Sequence, residues 1–201
     1  SRASSEWTAI AQVSGRAMSV SDRFELGEIV AAGTVLVQID PTDYELAVDR
    51  LEAESSTRKL EADELEQRQA NLDRIADLQS EQLRLADEEF RRLRSLWEEK
   101  ATSDSAMDAA QSALLGYQSA AQETRNQLDL IPVEKRLLEA SLRVLDVQLA
   151  QARRELEKCT IELPFAARCA ARTVEVDQFI SVGERLGTFL AMDKAEVVAM
   201  V

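Results

Sequence analysis

The sequence contains no histidine, and this absence excludes more functions than any other feature of its composition. Histidine is the commonest general acid or base, and Ser-His-Asp and Cys-His catalytic groups and HExxH zinc sites all need it. The two cysteines, Cys159 and Cys169, cannot build a zinc cage alone. We therefore expect a protein that is not an enzyme and that holds no metal and no cofactor.

Basic residues, aromatic residues and long apolar runs are also scarce. The 24 lysines and arginines are outnumbered by 37 acidic residues, and the net charge of −13 argues against a nucleic-acid partner because such partners need clustered cations. Aromatic residues make up 4% of the chain, which leaves little to fill a large globular core. Since no apolar run approaches the length of a membrane span, the sequence predicts no transmembrane helix.

Glycine and proline are few, and their positions divide the chain. Five of the six glycines lie within residues 1–40 or 159–201, and Pro41 and Pro164 bracket the segment between them. This middle segment is rich in charge and poor in β-branched residues, whereas the flanks show the reverse. The pattern predicts a β-rich piece, a long helical piece and a second β-rich piece.

The helical piece carries two apolar seams, in which apolar residues recur at alternating steps of three and four. The first seam is Tyr44, Val48, Leu51, Ser55, Arg58, Ala62, Leu65, Gln69, Leu72, Ala76, Gln79, Leu83, Ala86, Phe90, Leu93 and Trp97. The second is Met107, Ala110, Leu114, Tyr117, Ala121, Thr124, Leu128, Ile131, Lys135, Leu138, Leu142, Leu145, Leu149, Ala152 and Leu156. Such sustained heptads predict a coiled coil, with Trp97 and Tyr117 as core residues.

The polar link at 101–105 is so short that the two helices must be antiparallel neighbours, which predicts an αα-hairpin. Asp40 is placed to cap the first helix, with Pro41 at its first helical position. Pro132 lies inside the second helix without changing the phase of the seam. We expect a kink there and not a domain boundary.

The two β-rich flanks repeat each other. Each flank has an arginine, then a β-branched stretch, and then a glycine with one apolar residue three positions before it and another three positions after it. The matched pairs are Val30 with Ile180, Gly33 with Gly183, Leu36 with Leu186 and, with a two-residue offset, Arg16 with Arg168. Because neither flank is long enough to enclose a core, the repeat predicts one small β domain made of both halves, with the hairpin inserted between them.

At this point the chain resembles the HlyD-type periplasmic adaptors, or membrane fusion proteins, of tripartite efflux and secretion systems. The resembling stretches are QVSGRAMSV, GEIVAAGTVLVQIDPTDYELA, CTIELPFAAR and VGERLGTFLA. The resemblance implies an α+β, mostly helical fold in which a long antiparallel coiled-coil α-hairpin interrupts a lipoyl-like β-sandwich. The expected bounds are 7–40 and 159–192 for the two lipoyl-like halves, 41–158 for the hairpin, and 193–201 for the start of a following β domain. Ala166 and Ala167 depart from the family, which has Asp-Gly at that turn.

The resemblance implies a connective function. The adaptor would link an inner-membrane transporter, of the RND type in our first hypothesis, to a TolC-like outer-membrane channel, and copies of it would associate into a ring. It would be periplasmic and anchored to the inner membrane through a segment absent from this chain. Two alternatives stay open: an adaptor of an ABC- or MFS-type exporter, and a coiled-coil scaffold with no role in transport.

Arg92, Leu96 and Ser103 match the Arg-x3-Leu-x6-Ser tip pattern of adaptors that dock onto TolC-like channels. Arg92 and Leu96 lie off the seam and four residues apart, so they share a face turned away from the partner helix. The resemblance therefore implies a partner-binding tip made of these three residues. In the alternative interpretation, Arg92 pairs with a nearby acid, Leu96 is an ordinary exposed leucine and Ser103 caps the second helix.

Lys194 and the cysteines are the remaining candidates. Lys194, in AMDKAEV, is similar to the modified lysine of lipoyl carriers, but it follows both half-motifs, so we expect no cofactor on it. Cys159 and Cys169 could form a disulfide in an oxidising compartment, but their spacing does not place their Cα atoms within bridging range. We interpret them as small, half-buried residues on neighbouring strands.

Overall fold

The computed structural model describes residues 6–191 and contains eight strands and two helices. The first four strands are β1 (Glu6–Ile10), β2 (Gly15–Val20), β3 (Ile29–Val30) and β4 (Val35–Ile39). The helices are α1 (Thr42–Glu98) and α2 (Asp104–Glu157), and the last strands are β5 (Thr160–Glu162), β6 (Ala167–Arg172), β7 (Phe179–Ile180) and β8 (Arg185–Ala191). Lys194 and the expected domain start at 193–201 lie outside the described residues.

The chain divides into two compact units, which are described separately. The first contains Ser1–Glu52 and Val147–Val201, and the second contains Ala53–Asp146. In the first unit the strands form two four-stranded sheets, ordered β1-β8-β6-β3 and β5-β4-β2-β7. Exchanging each strand for its counterpart in the other half (β1 with β5, β2 with β6, β3 with β7, β4 with β8) converts one order into the other. The predicted pairing of two quasi-equivalent halves is therefore confirmed.

The repeat extends to single hydrogen bonds and backbone angles. The N–H of Gly183 donates to the carbonyl of Ala11, and the N–H of Gly33 donates to that of Leu163, both at 2.8 Å. Both glycines have positive φ, at 84° and 76°, a conformation that side chains resist. The glycine in each half is thus explained by the same turn.

A second pair of equivalent turns uses different residues. Gly27 and its counterpart Asp177 both have positive φ, at 87° and 65°, and aspartate is one of the side chains that tolerates this region. Ala166 and Ala167 are not among the residues with positive φ in the described chain. The alanines at the family's Asp-Gly position therefore impose no strain of that kind.

Buried side chains from both sheets form one hydrophobic cluster. Phe24 and Phe189 stack at 5.1 Å between ring centroids, and Trp7 packs 5.7 Å from Phe189. The equivalent leucines Leu36 and Leu186 are fully buried in the same cluster. Aromatic residues are scarce in the chain as a whole, and this small core holds several of them.

The interpretation of the cysteines was wrong in part. Cys159 and Cys169 are free and fully buried, not half-buried. Cys159 lies in the turn just before β5 and Cys169 lies in β6, and since β5 and β6 belong to different sheets the two residues are not on neighbouring strands. Burial raises the pKa of both thiols, and a buried protonated thiol is a poor nucleophile.

The predicted start of α1 is confirmed. The carboxylate of Asp40 accepts hydrogen bonds from the backbone N–H of Thr42 at 3.1 Å and from its hydroxyl at 2.7 Å. These bonds hold the pKa of Asp40 below its ordinary value. The carbonyl of Pro41 accepts the N–H of Glu45 at 2.8 Å, as expected for a proline at the first helical position.

In the second unit the helices pack antiparallel along the predicted seam. Leu65 and Leu72 of α1 form a small core with Ile131 of α2. Across the seam, Arg68 forms an ion pair with Glu134 at 3.3 Å, and the side chain of Lys135 donates to Gln69 at 2.7 Å. Helix α2 runs unbroken through Pro132, so the proline does not end it. The kink stays a prediction.

Two aromatic members of the seam were predicted as core, and this was wrong. Trp97 is 45% exposed and Tyr117 is 39% exposed, although the other seam positions of this unit are buried or half-buried. A seam between only two helices is one layer thick, so nothing covers the outer edge of a large ring. Alanine, leucine and isoleucine fit such a seam better.

Candidate functional site

The candidate site is the turn that joins α1 to α2. Helix α1 ends with two bonds typical of a Schellman motif: Lys100 N–H donates to the carbonyl of Trp97 at 2.9 Å, and Ala101 N–H donates to that of Leu96 at 2.7 Å. Lys100 occupies the left-handed position, with φ of 58°. Leu96 is therefore tied through its carbonyl to the residue that leaves the helix.

Lys100→Gly should stabilise the hairpin by about 1 kcal/mol, because a lysine pays a steric cost in the left-handed region that glycine avoids. The measurement is the midpoint of thermal unfolding, followed by helical circular dichroism. Lys59→Gly, at an exposed position inside α1, is the matched control and should destabilise the hairpin. A lower midpoint for Lys100→Gly would contradict the assignment of this motif.

Helix α2 begins with a side-chain cap. The hydroxyl of Ser103 accepts the N–H of Ala106 at 3.2 Å, and the carbonyl of Ser103 accepts the N–H of Met107 at 3.2 Å. Trp97 spans the turn, and its indole N–H donates to the carboxylate of Asp104 at 2.6 Å. Both ends of the turn are thus fixed by hydrogen bonds.

Arg92 and Leu96 are exposed on α1 next to this turn. The guanidinium of Arg92 forms an ion pair with Glu89, one turn earlier, and most of its side chain is in contact with solvent. Leu96 is 37% exposed. An exposed ion pair of this kind contributes little to stability, so a partner carboxylate can compete for Arg92 at small cost.

The structure places Arg92, Leu96 and Ser103 at the same end of the hairpin, and it also gives each one a local role. Arg92 pairs with an acid and Ser103 caps α2, as the alternative interpretation proposed. A local role does not prevent contact with a partner, since the exposed parts of all three remain accessible. Partner binding by these residues stays a prediction.

Sequence reasoning missed two residues of the turn. Trp97 was assigned to the core, but it is exposed and adds a large apolar ring to the tip. Lys100 was not singled out, although it adds a positive charge at the turn itself. The sequence did contain a signal for the exposure of Trp97, because this residue stands at the last position of its seam, where the partner helix can no longer cover it. We define the tip surface as Arg92, Leu96, Trp97, Lys100 and Ser103.

Two classes of feature are not found in the part of the chain that the structure describes. Residues 6–191 hold no group of three or more cysteines, aspartates and glutamates arranged to bind a metal ion. Over the same residues, neither helix has a stretch apolar enough to span a membrane.

The fold is similar to that of known adaptor proteins. One similar structure is that of the periplasmic adaptor protein EmrA, with a TM-score of 0.50 and 18% identity over 94% of this chain and 72% of that one. Another similar structure is that of a MacA chimera that contains the α-hairpin domain of Pseudomonas aeruginosa MexA. Its TM-score is 0.46, with 17% identity over 94% of this chain and 49% of that one. MacA from Actinobacillus actinomycetemcomitans is similar as well, with a TM-score of 0.43 and 17% identity over 92% of this chain and 48% of that one.

The chain therefore spans about half the length of the two MacA-type proteins. No family model matches the sequence, and no curated protein matches it. The expected resemblance to periplasmic adaptors is confirmed at the level of the fold.

Proposed function

We propose that this chain is part of a periplasmic adaptor that links an inner-membrane transporter to a TolC-like outer-membrane channel, with the tip surface docking on the channel. The observation that carries the proposal is the architecture itself. A two-sheet domain built from two halves is interrupted by two long antiparallel helices, and the fold of the chain is similar to that of the adaptor EmrA. The lipoyl-like character of the two-sheet domain belongs to the same proposal.

The chemistry of the tip surface suits docking. It combines two apolar side chains, Leu96 and Trp97, with two cations, Arg92 and Lys100. Tryptophan and arginine are the residues that most often dominate the binding energy of protein interfaces. A channel partner would therefore present small apolar grooves lined by backbone carbonyls or carboxylates.

The remaining parts of the proposal follow from the adaptor function. The protein would act in the periplasm, attached to the inner membrane, and several copies would surround one conduit. For the transporter we name the RND type, with ABC- and MFS-type exporters as the alternatives.

The experiment that tests the proposal is affinity purification of the complete protein from cross-linked cells. We expect an outer-membrane channel and an inner-membrane transporter in the purified complex, and the transporter class is then read from its sequence. A complex with neither membrane protein would contradict the adaptor function and favour a coiled-coil scaffold.

Variants of Ser103 separate capping from docking. Ser103→Asp should keep the cap, because aspartate caps helices as well as serine, whereas Ser103→Ala should destabilise the hairpin by about 1 kcal/mol. If the serine hydroxyl also contacts the channel, Ser103→Asp should weaken channel binding while unfolding at an unchanged midpoint. Equal channel binding by wild type and Ser103→Asp would limit Ser103 to capping.

A further inference from the structure

One side-chain hydrogen bond crosses the turn at the end of the hairpin. The indole N–H of Trp97, in the last turn of α1, donates to the carboxylate of Asp104, the first residue of α2, at 2.6 Å. We call this bond the tip strap. Both side chains are exposed, so core packing does not force them together. The bond therefore forms at the surface, although Trp97 has the spacing of a core residue.

The backbone hydrogen bonds of the turn fix each helix end by itself. On the side of α1, the N–H groups of Lys100 and Ala101 donate back to the last turn of that helix. On the side of α2, the N–H groups of Ala106 and Met107 donate to the carbonyl of Ser103. None of these bonds joins one helix end to the other. Within the described turn, the tip strap is the hydrogen bond that does so.

Packing between the helices is weak at this end of the hairpin. Beyond Leu72, no seam residue of α1 is buried, and Trp97 itself is 45% exposed. The other side-chain hydrogen bonds and ion pairs between the helices in the described chain lie far from the turn, and the nearest of them joins Lys135 to Gln69. From residue 70 to the end of α1, the tip strap is therefore the one polar side-chain link between the helices among the described residues.

The tip strap joins the neighbours of two residues of the tip surface. Trp97 follows Leu96 in α1, and Asp104 follows Ser103 at the start of α2. Leu96 and Ser103 stand at different helix ends, so their relative position depends on a link between the two ends. A surface that is ordered before its partner arrives loses less conformational entropy on binding. The tip strap supplies such order at the place where the seam supplies little.

We propose that the tip strap positions the tip surface for docking, with Asp104 as a positioning residue that acts through Trp97 and not through contact with the channel. This inference rests on the proposed function, in which the tip surface docks on the channel. The chemistry suits the role, because a hydrogen bond to a carboxylate is stronger than one between neutral groups. The strap also leaves Leu96 and Lys100 exposed to a partner.

Two variants of Asp104 separate the bond from the charge. Asp104→Ala removes the acceptor, and it should lower the amount of channel that co-purifies with the complete protein from cross-linked cells by about five-fold, since the turn must then become ordered on binding. Asp104→Asn keeps an oxygen that accepts the indole N–H, so it should retain most of the channel. Asp108→Ala removes another exposed acid near the start of α2 and is the matched control, with no expected loss.

The outcomes distinguish the strap from its alternatives. Equal losses for Asp104→Ala and Asp104→Asn would overturn the inference, since the charge and not the bond would then matter. Normal amounts of channel with Asp104→Ala would overturn the inference and leave the proposed function standing. A wild-type protein that co-purifies with no channel would overturn the proposed function and the positioning role together.

A double-variant cycle tests the dependence on Trp97. Trp97→Phe keeps a ring but loses the donor, so Asp104→Ala should lower the amount of channel little further in that background. Additive losses would contradict the claim that Asp104 acts through Trp97. The midpoint of thermal unfolding should differ little between Asp104→Ala and Asp104→Asn, because helix ends open locally without global unfolding. A lower midpoint for Asp104→Ala that accompanies its loss of channel would assign both effects to a weakened helix and overturn the inference.

Amide hydrogen exchange detects the strap without the channel. Removing the carboxylate from α2 by Asp104→Ala should speed exchange of the Lys100 and Ala101 amides, at the end of α1, by about five-fold. Removing the indole N–H from α1 by Trp97→Phe should likewise speed exchange of the Ala106 amide at the start of α2. Unchanged exchange across the turn in both variants would overturn the inference, because each helix end would then be ordered without the other.

Discussion

Replacing Phe24 by alanine should lower the free energy of unfolding of the two-sheet domain by about 3–5 kcal/mol. Phe24 is among the largest fully buried side chains of that domain and stacks on Phe189 at 5.1 Å. Its removal leaves a cavity that rigid strands cannot close. Since domains of this size are stable by only about 5–15 kcal/mol, the variant should be close to unfolding.

Gly187 packs against the ring of Phe24, so its replacement should also destabilise the domain. A Cβ atom at this position would lie 2.4 Å from the Phe24 ring and 2.5 Å from the carbonyl oxygen of Ala171, and the carbonyl cannot move aside. Gly187→Ala should therefore destabilise the domain by about 3 kcal/mol. In the other half of the repeat, the positions equivalent to Phe24 and Gly187 are Val174 and Val37, both buried. One half fills the space with a large and a small residue, and the other half fills it with two of medium size.

The measurement is chemical unfolding in a Trp97→Phe background, so that fluorescence comes from Trp7, which packs against Phe189. Leu26→Ala is the matched control, because Leu26 is exposed, and it should change the stability little. The double variant Phe24→Val with Gly187→Val has the same two residues as the other half of the repeat. Its loss of unfolding free energy should be smaller than the sum of the losses caused by Phe24→Val alone and by Gly187→Val alone. Strict additivity would contradict the account of a shared space.

The second large effect concerns the tip surface. Leu96→Asp should reduce transport to the level of cells that lack the protein, because it places a charge where the channel would receive an apolar side chain. Arg92→Glu should have a similar effect, since it reverses the charge offered to the channel. Neither change should alter the fold, because Leu96 is partly exposed and Arg92 forms only an exposed ion pair.

Transport is measured in cells whose own copy is replaced by each variant, with protein levels checked in parallel. Ser56→Asp, an exposed change on α1 far from the turn, is the matched control and should support normal transport. Normal transport by both tip variants would contradict docking by the tip surface. Reduced transport with reduced protein levels would instead show that the variants fail to fold.

The hairpin could be predicted from sequence because its determinants are local. Asp40 and Pro41 begin α1, the heptad spacing defines the seam, and a short polar link joins the helices, predicted at 101–105 and found at 99–103. The pairing of the two flanks could also be predicted, since Gly33 and Gly183 occupy equivalent turns. These features depend on residues that are close in sequence or repeated at a constant offset.

Other features depend on the tertiary environment and could not be predicted. Asp177 adopts the conformation of Gly27 without being glycine, so the residue type does not reveal the turn. Trp97 has the right spacing for a core residue, but it lies where the seam has no outer cover. The full burial of Cys159, in the turn before β5, and of Cys169, in β6, follows from how the two halves pair, which spacing alone does not show.

The most direct test of the central claim is photo-cross-linking from position 96 of the complete protein in living cells. A photoreactive residue at Leu96 should form an adduct with an outer-membrane channel protein, identified by mass spectrometry. The same residue at Leu60, on the same helix but far from the turn, should not. Adducts with the channel from position 60 alone, or from neither position, would contradict the proposal that the hairpin tip docks on the channel.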